Sequence, residues 1–305
     1  MSSHAHAVTS PHKPILIQGA TRAFHVHQVP AASDNLCWLI EYEPQRVALV
    51  DGPSASEVLS YLSQHHLTLT HILNTHTHGD HIGVNRALEA EGLLSGLEVW
   101  GSASAPTAIP GLTRSLSDGE TVKLGALEGV VLLTEGHLNG HISFVFGVSA
   151  EADAQRTEDE LALFCGDTLF TGGCGYVFDG PMSVMAQSLE RLARLGPNTH
   201  IFCAHEYTLD NLHFALSVEP GNMALLRRAR EVLSLRTEGR SAVPSLMSLE
   251  VETNPFLRES PELKRSLSSE VQEGRAQIFE RARRLKNSKA YRARSIEELL
   301  SSLDC

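Results

Sequence analysis

Thr75-His76-Thr77-His78-Gly79-Asp80-His81 places four strong metal ligands within six residues. His76 and His78 are two apart, so an extended segment can turn both rings to one side. Asp80 and His81 follow at once and can face a second point a few ångströms away. Three imidazoles and a carboxylate suit zinc, iron or manganese, and a run without a thiolate does not fit a structural zinc finger. The apolar run Thr70-His71-Ile72-Leu73-Asn74 reads as a strand leading into the cluster. The chain holds 16 histidines, so some clustering is expected by chance, and His4, His6, His12, His25 and His27 are read as background.

The 305 residues suffice for one large domain or two of ordinary size. With 42% hydrophobic and 20% charged residues, the composition is that of a soluble globular protein. No apolar run reaches the roughly 18 residues of a membrane helix, so no membrane role is expected. The polar, His-rich residues 1–13 have no apolar core of a leader peptide and read as a disordered tail. Cys37, Cys165, Cys174, Cys203 and Cys305 show no zinc or redox spacing, which fits reduced thiols in a cytoplasmic protein. The net charge of −11 is unevenly placed: residues 1–205 hold 9 Lys+Arg against 21 Asp+Glu, residues 206–305 hold 16 against 15. The C-terminal third is thus the better place to meet an anion, and neither part is basic enough for nucleic acid.

The first two-thirds read as short apolar strands with helices between them. Cys37-Trp38-Leu39-Ile40 and Val47-Ala48-Leu49-Val50 are expected to pair across Glu43-Pro44-Gln45-Arg46. Residues 130–133, 142–146, 161–164 and 201–203 are further strands, and 56–65 and 183–195 are helices. The acidic stretch 149–160 reads as a solvated hairpin loop. After His205 the pattern turns helical over 222–238 and 268–289, strands become essentially absent, and Ser295-Ile296-Glu297-Glu298 has the form of a capping box.

Two metals that share one ligand and keep an open position for water need about seven protein ligands. The cluster offers four. His137, Asp167 and His205 each follow an apolar run, at strand ends where loops build sites.

This order, His-x-His-x-Asp-His followed by His, Asp and His at strand ends, resembles the metallo-β-lactamase superfamily, and within it the glyoxalase II (hydroxyacylglutathione hydrolase) family. The supporting stretches are Thr75 to Gly83, Gly166-Asp167-Thr168-Leu169-Phe170, Gly172-Gly173-Cys174-Gly175, His205-Glu206-Tyr207-Thr208 with Asn211-Leu212, and Thr253-Asn254-Pro255-Phe256-Leu257-Arg258. The resemblance implies an α+β fold: a four-layer αββα sandwich over residues 14–205, then a helical, glutathione-binding domain over 206–305. It implies that His76, His78 and His137 hold one metal, that Asp80, His81 and His205 hold another, and that Asp167 bridges them. Two divalent ions are expected, zinc foremost, although the same ligands accept iron or manganese. Asp80, His81 and Asp167 would then position a bridging hydroxide for attack on a thioester, and Asp51, after the strand Val47 to Val50, would orient a ligating histidine.

The implied substrate is S-D-lactoylglutathione or a related 2-hydroxyacyl thioester, cleaved by a monomer as the last step of methylglyoxal detoxification. A thiolate can leave without a general acid, since its conjugate acid has a pKa of about 8.5. Arg283 and Lys286, at i and i+3 of a C-terminal helix, match the family's patch for the glutathione carboxylate, and Tyr207 matches a glutathione contact. The chain departs from the family at Tyr176, where a Lys or Arg is common, and at Phe178, where a Tyr is common. Both changes remove polar contacts to glutathione, so a different thiol carrier stays open. The alternative reaction class is a persulfide dioxygenase with a single iron, a group that lacks the helical domain carrying Asn254-Pro255-Phe256.

Overall fold

A computed structural model of the chain describes residues 6–148, 159–267 and 274–303. Among these residues, the first sheet runs in sequence order: β1 (Ile15–Gln18), β2 (Ala23–Ala31), β3 (Asn35–Glu43), β4 (Arg46–Val50), β5 (Thr68–Leu73), β6 (Glu98–Ser102) and β7 (Arg114–Leu116). The hairpin partners β3 and β4 pair antiparallel with Trp38 opposite Val50, as the alternating apolar runs suggest. From β4 onward the pairing is parallel, which needs crossovers. Helix α1 (Ala55–His65) carries the first of these and α2 (Gly83–Ala90) lies in the second.

The second sheet contains β8 (Thr121–Leu124), β9 (Leu127–Leu133), β10 (Ile142–Phe146) and β11 (Leu161–Gly166), while β12 (Leu169–Phe170) and β13 (Gly173–Cys174) form a separate small hairpin. Helix α3 (Met182–Ala193) leads to β14 (Thr199–Cys203), which lies parallel to β11. The order of this sheet is β15-β14-β11-β10-β9-β8, with β15 at Ser245–Leu246.

Alternation along each strand explains the layers. Trp38, Ile40 and Val50 of the first sheet join Phe144, Phe146, Phe164 and Phe202 of the second in one buried cluster. Trp38 meets Phe202 edge-on at 4.9 Å, and Phe202 stacks on Phe164 at 5.0 Å. The intervening residues Leu39, Leu49 and Ile72 face the other way and are covered by Val58 and Leu62 of α1 and by Val84 and Leu88 of α2. Helix α3 adds Met185, Leu189 and Leu192 beside the second sheet. The result is the αββα layering expected.

The C-terminal part comprises α4 (Thr208–Val218), α5 (Met223–Thr237), α6 (Met247–Thr253), α7 (Pro261–Ser266), α8 (Arg275–Ser288), a 3-10 turn at Ala290–Ala293 and α9 (Ile296–Ser302). The capping box at Ser295 is present, with reciprocal bonds between Ser295 and Glu298. Helices α4, α5 and α9 share a small core of Leu212, Leu216, Leu225, Ala229 and Leu300.

Two expectations change. The helical part is not free of strands, because β15 adds to the edge of β14. Two-residue pairing carries no periodic signal, so the sequence could not announce it. Residues 6–13 are not a loose tail: Val8 is buried, Thr9 and Ser10 bond the Gly239 carbonyl through their amides, and His12 reaches the Ser241 carbonyl. One apolar residue and a few main-chain bonds anchor a segment that composition alone reads as polar. The start of the 268–289 helix and most of the acidic 149–160 loop lie outside the described residues.

Candidate metal centre

Both halves of the site come from strand ends. After β5 the chain turns, with His81 and Ile82 donating their amides to the His78 carbonyl before α2 starts. That turn folds the cluster back on itself. His78 Nδ1 lies 3.0 Å from His76 Nε2 and 3.0 Å from His137 Nε2, and His137 Nε2 is 3.4 Å from Asp167 Oδ2. Candidate ligand atoms of these four residues all lie within 4.8 Å of one another.

The second group sits beside the first. Asp80 Oδ2 is 3.6 Å from His81 Nε2 and 3.3 Å from His205 Nε2. Asp167 Oδ1 is 3.5 Å from both His81 Nε2 and His205 Nε2. Asp167 therefore turns Oδ2 to the first group and Oδ1 to the second.

Fixed hydrogen bonds on the far ring nitrogens aim the histidines. His81 Nδ1 donates to Asp51 Oδ2 at 2.9 Å, His205 Nδ1 to Asp34 Oδ1 at 2.8 Å, and His137 Nδ1 to the Tyr176 carbonyl at 2.8 Å. With the proton held on Nδ1, each ring presents the lone pair of Nε2 to the centre. Asp51 also falls within reach of a possible ligand set with His76 and His81. Its two oxygens, however, already accept from the Thr75 amide, the Thr75 hydroxyl and His81, so its place is behind the histidine rather than on an ion.

The electrostatics ask for a cation. Among the described residues, the ion-pair partners of Asp80 and Asp167 are all histidines. The hydrogen bond from His205, outweighing burial, holds the Asp80 carboxyl below the usual carboxylate range. Burial would lower the His205 pKa, but Asp167, Asp34 and Asp80 push it up to about 10, so a cation bound at Nε2 would displace a proton there and free the lone pair. His76, buried and surrounded by other imidazoles, is pushed well down and stays neutral. His81 Nε2 and Asp167 Oδ1 are buried without a hydrogen-bond partner. Orphaned atoms of this kind are rare unless something else occupies them. The donor set, its convergence and these two atoms fit divalent metal ions.

The structure brings together all seven expected ligands and Asp51. It also supplies two residues missed in the sequence. Asp34 occupies the turn between β2 and β3, where an aspartate looks like ordinary turn chemistry. His141 is fully buried, accepts the Asp167 amide on Nε2 at 3.2 Å, and stacks on His76 at 4.8 Å. Its position four residues after His137, just before β10, was an available signal.

Tyr176, Phe178 and Tyr207 line the outer side of the centre. Phe178, 60% exposed, sets its ring edge against His78 and His137 at 5.3 and 5.2 Å. Tyr176 lies 4.7 Å from Phe178, and Tyr207 stacks flat on His205 at 4.8 Å. Arg283 and Lys286 behave differently, being 5% and 7% exposed and bonded within the chain. Arg283 Nη1 donates to the Cys174 carbonyl at 3.0 Å, whereas Lys286 pairs with Asp210 at 3.2 Å.

The fold and this centre define a protein of the metallo-β-lactamase type. The superfamily's model matches residues 32–205, and the model for the hydroxyacylglutathione hydrolase C-terminus matches 206–289. Solved structures with the same fold include ETHE1 from Myxococcus xanthus (21% identical, 87% of this chain and 98% of that one, TM-score 0.54). A metallo-beta-lactamase from Staphylococcus aureus is also similar (19% identical, 83% and 68% covered, TM-score 0.53). Closer in sequence is the hydroxyacylglutathione hydrolase of Methylococcus capsulatus, 45% identical over 243 residues, or 79% of this chain and 89% of that protein. That of Gloeothece citriformis is 41% identical over 266 residues, or 86% and 99%. The chain belongs to the hydroxyacylglutathione hydrolase family.

Proposed function

We propose that this protein hydrolyses S-D-lactoylglutathione and related S-2-hydroxyacylglutathiones to a 2-hydroxy acid and glutathione. The observation that carries this reading is the placement of Asp167, one oxygen toward His137 and the other toward His81 and His205. His76, His78 and His137 would hold one divalent ion, Asp80, His81 and His205 a second, with Asp167 between them. Zinc is the first choice for nitrogen and oxygen donors of this kind. When bound, the ions would acidify a water and polarise the thioester carbonyl.

The chain's own residues do the rest. Asp51, Asp34 and the Tyr176 carbonyl keep three imidazoles in one tautomer, so no reorganisation is needed as charge develops. Phe178 and Tyr176 give an aromatic wall beside His78 and His137, suited to the acyl end or the thioester sulfur of the substrate. Tyr207, stacked on His205, offers a second contact. Its hydroxyl stays protonated, raised by burial and then by Asp34 and Asp167, and so remains a donor. The leaving sulfur departs as thiolate, so no protein acid has to be found.

We assign the metal domain to residues 14–205 and the glutathione-binding part to 206–305. The matched family boundary at 205/206 supports this division. A monomer acting in the cytoplasm completes the proposal. Among the described residues, no helix is long and apolar enough to cross a membrane.

The test is hydrolysis of S-D-lactoylglutathione by purified protein, with and without chelator, alongside metal analysis. Rapid thioester loss that chelation stops and two equivalents of zinc restore is the expected result. Bound metal without thioester loss would overturn the reaction and direct attention to another thiol carrier or to persulfide oxidation.

A further inference from the structure

The segment Phe170 to Tyr176 begins three residues after Asp167 and ends on the carbonyl that orients His137. Five of its carbonyls and one of its amides are bonded by side chains of the C-terminal part. Asn254 Nδ2 donates to the Phe170 carbonyl at 3.3 Å and to the Gly173 carbonyl at 3.0 Å. Asn211 donates to the Thr171 carbonyl at 3.0 Å. The Gly172 amide donates to Glu250 at 2.8 Å. Arg283 Nη1 takes the next two carbonyls, Cys174 at 3.0 Å and Gly175 at 3.4 Å. The following carbonyl, Tyr176, accepts from His137 Nδ1.

Arg283 is held for this task. Its Nε donates to Asn287 at 2.8 Å, its guanidinium lies 5.4 Å from the centre of the Phe256 ring, and it is buried. A planar fork fixed at two points can hold successive carbonyls in register, which a flexible ammonium cannot do equally well. Two residues separate Arg283 from Lys286, yet their partners lie in different segments, Cys174 and Gly175 against Asp210.

We propose that Arg283 is a positioning residue of the metal centre. By clamping Cys174 and Gly175 it sets the Tyr176 carbonyl, and through that carbonyl the tautomer and aim of His137. This inference rests on His137 being a metal ligand, as assigned above, and makes metal affinity depend on a residue of the helical part.

The experiment is cobalt titration of metal-free protein, read by the visible absorption of the bound ion, for wild type, R283M and R283K. Loss of a ligand-orienting contact weakens metal binding by about 10- to 100-fold. The expectation is a tenfold or greater loss for one of the two cobalt equivalents in R283M, with an altered spectrum. R283K, which keeps one donor near Cys174, should recover part of it and still tests the idea should R283M fail to fold. In steady-state assays kcat should fall more than KM rises. Unchanged cobalt affinity and spectrum in both variants, with any defect confined to KM, would overturn the proposal and leave Arg283 as a substrate contact. The titration uses no thioester. A wild type that binds cobalt but leaves S-D-lactoylglutathione intact would therefore sink the reaction assigned above and not this role.

Discussion

Asp51 Oδ2 and His81 Nδ1 meet at 2.9 Å in a buried contact, and the same carboxylate accepts both the amide and the hydroxyl of Thr75. The carboxylate forces the His81 proton onto Nδ1. An asparagine would fit the space but turn an N–H donor toward His81, placing the imidazole proton on Nε2, where a metal should be. Asp51→Asn is therefore expected to weaken metal binding by about 10- to 100-fold, as much as Asp51→Ala. Chelator competition on both variants checks this. Near-normal affinity in the asparagine variant would mean that shape, not tautomer, is what Asp51 provides.

At Gly175 the loop packs against the Asp167 carbonyl and the His137 ring. A Cβ there would lie 1.8 Å from the Asp167 carbonyl and 3.1 Å from His137 Nδ1. The first obstacle is backbone, so the loop must move, and it carries the groups flanking two ligands. Gly175→Ala should lower metal affinity at least tenfold while costing about 1–3 kcal/mol of stability from overpacking. Metal content per folded chain, measured with the urea midpoint, separates the two effects. A variant that keeps its full metal complement would show that the loop can shift without disturbing His137.

The convergence of the candidate ligands was legible because metal chemistry restricts residue type and these residues fall at strand ends that apolar runs mark. The sandwich was legible for a related reason: both sheets are buried on alternate residues, as with Trp38 and Leu39, which belong to different cores. Asp34 was not legible, because its role depends on Leu36 and Glu206 stitching the β2–β3 turn to the end of β14 through main-chain bonds. Nor was the difference between Arg283 and Lys286. Helical spacing placed them on one face, but only the packing of α8 against α3, α4 and the Cys174 loop decides what each one meets.

Lys286 provides a pH test of that packing. Burial lowers its pKa from 10.5, Asp210 restores part, and the result is about 8. A lysine with a depressed folded pKa is deprotonated in the native chain while still protonated in the unfolded one. Between about pH 8 and 10.5 the unfolded state thus binds more protons, and this group's contribution to stability rises with pH. Relative to Lys286→Met, the wild type should gain on the order of 1–2 kcal/mol between pH 7.5 and 9.5. Urea midpoints at the two pH values measure it. A difference that does not move with pH would mean that Lys286 titrates at its ordinary value and is wetter than its surroundings indicate.

Glu250 sits at the junction of two roles. It pairs with buried Arg228, accepts the Ser245 hydroxyl, and takes both the Gly172 amide and Asn254 Nδ2 on its other oxygen. Removing it alone strands a guanidinium in the core, so Glu250→Ala should cost about 3–5 kcal/mol. Replacing a buried pair by apolar residues of similar volume is often neutral, which would make Arg228→Met with Glu250→Leu harmless if the ion pair were all that mattered. Here it is not all, because the double variant still leaves the Gly172 N–H and the Asn254 amide without their acceptor. It should recover only part of the loss, keeping a deficit of about 1–3 kcal/mol. Glu250→Gln, which retains an oxygen for Gly172, should be the mildest of the three. If the double variant instead unfolds at the wild-type urea concentration, Glu250 serves Arg228 alone and the Gly172 contact contributes nothing measurable to stability.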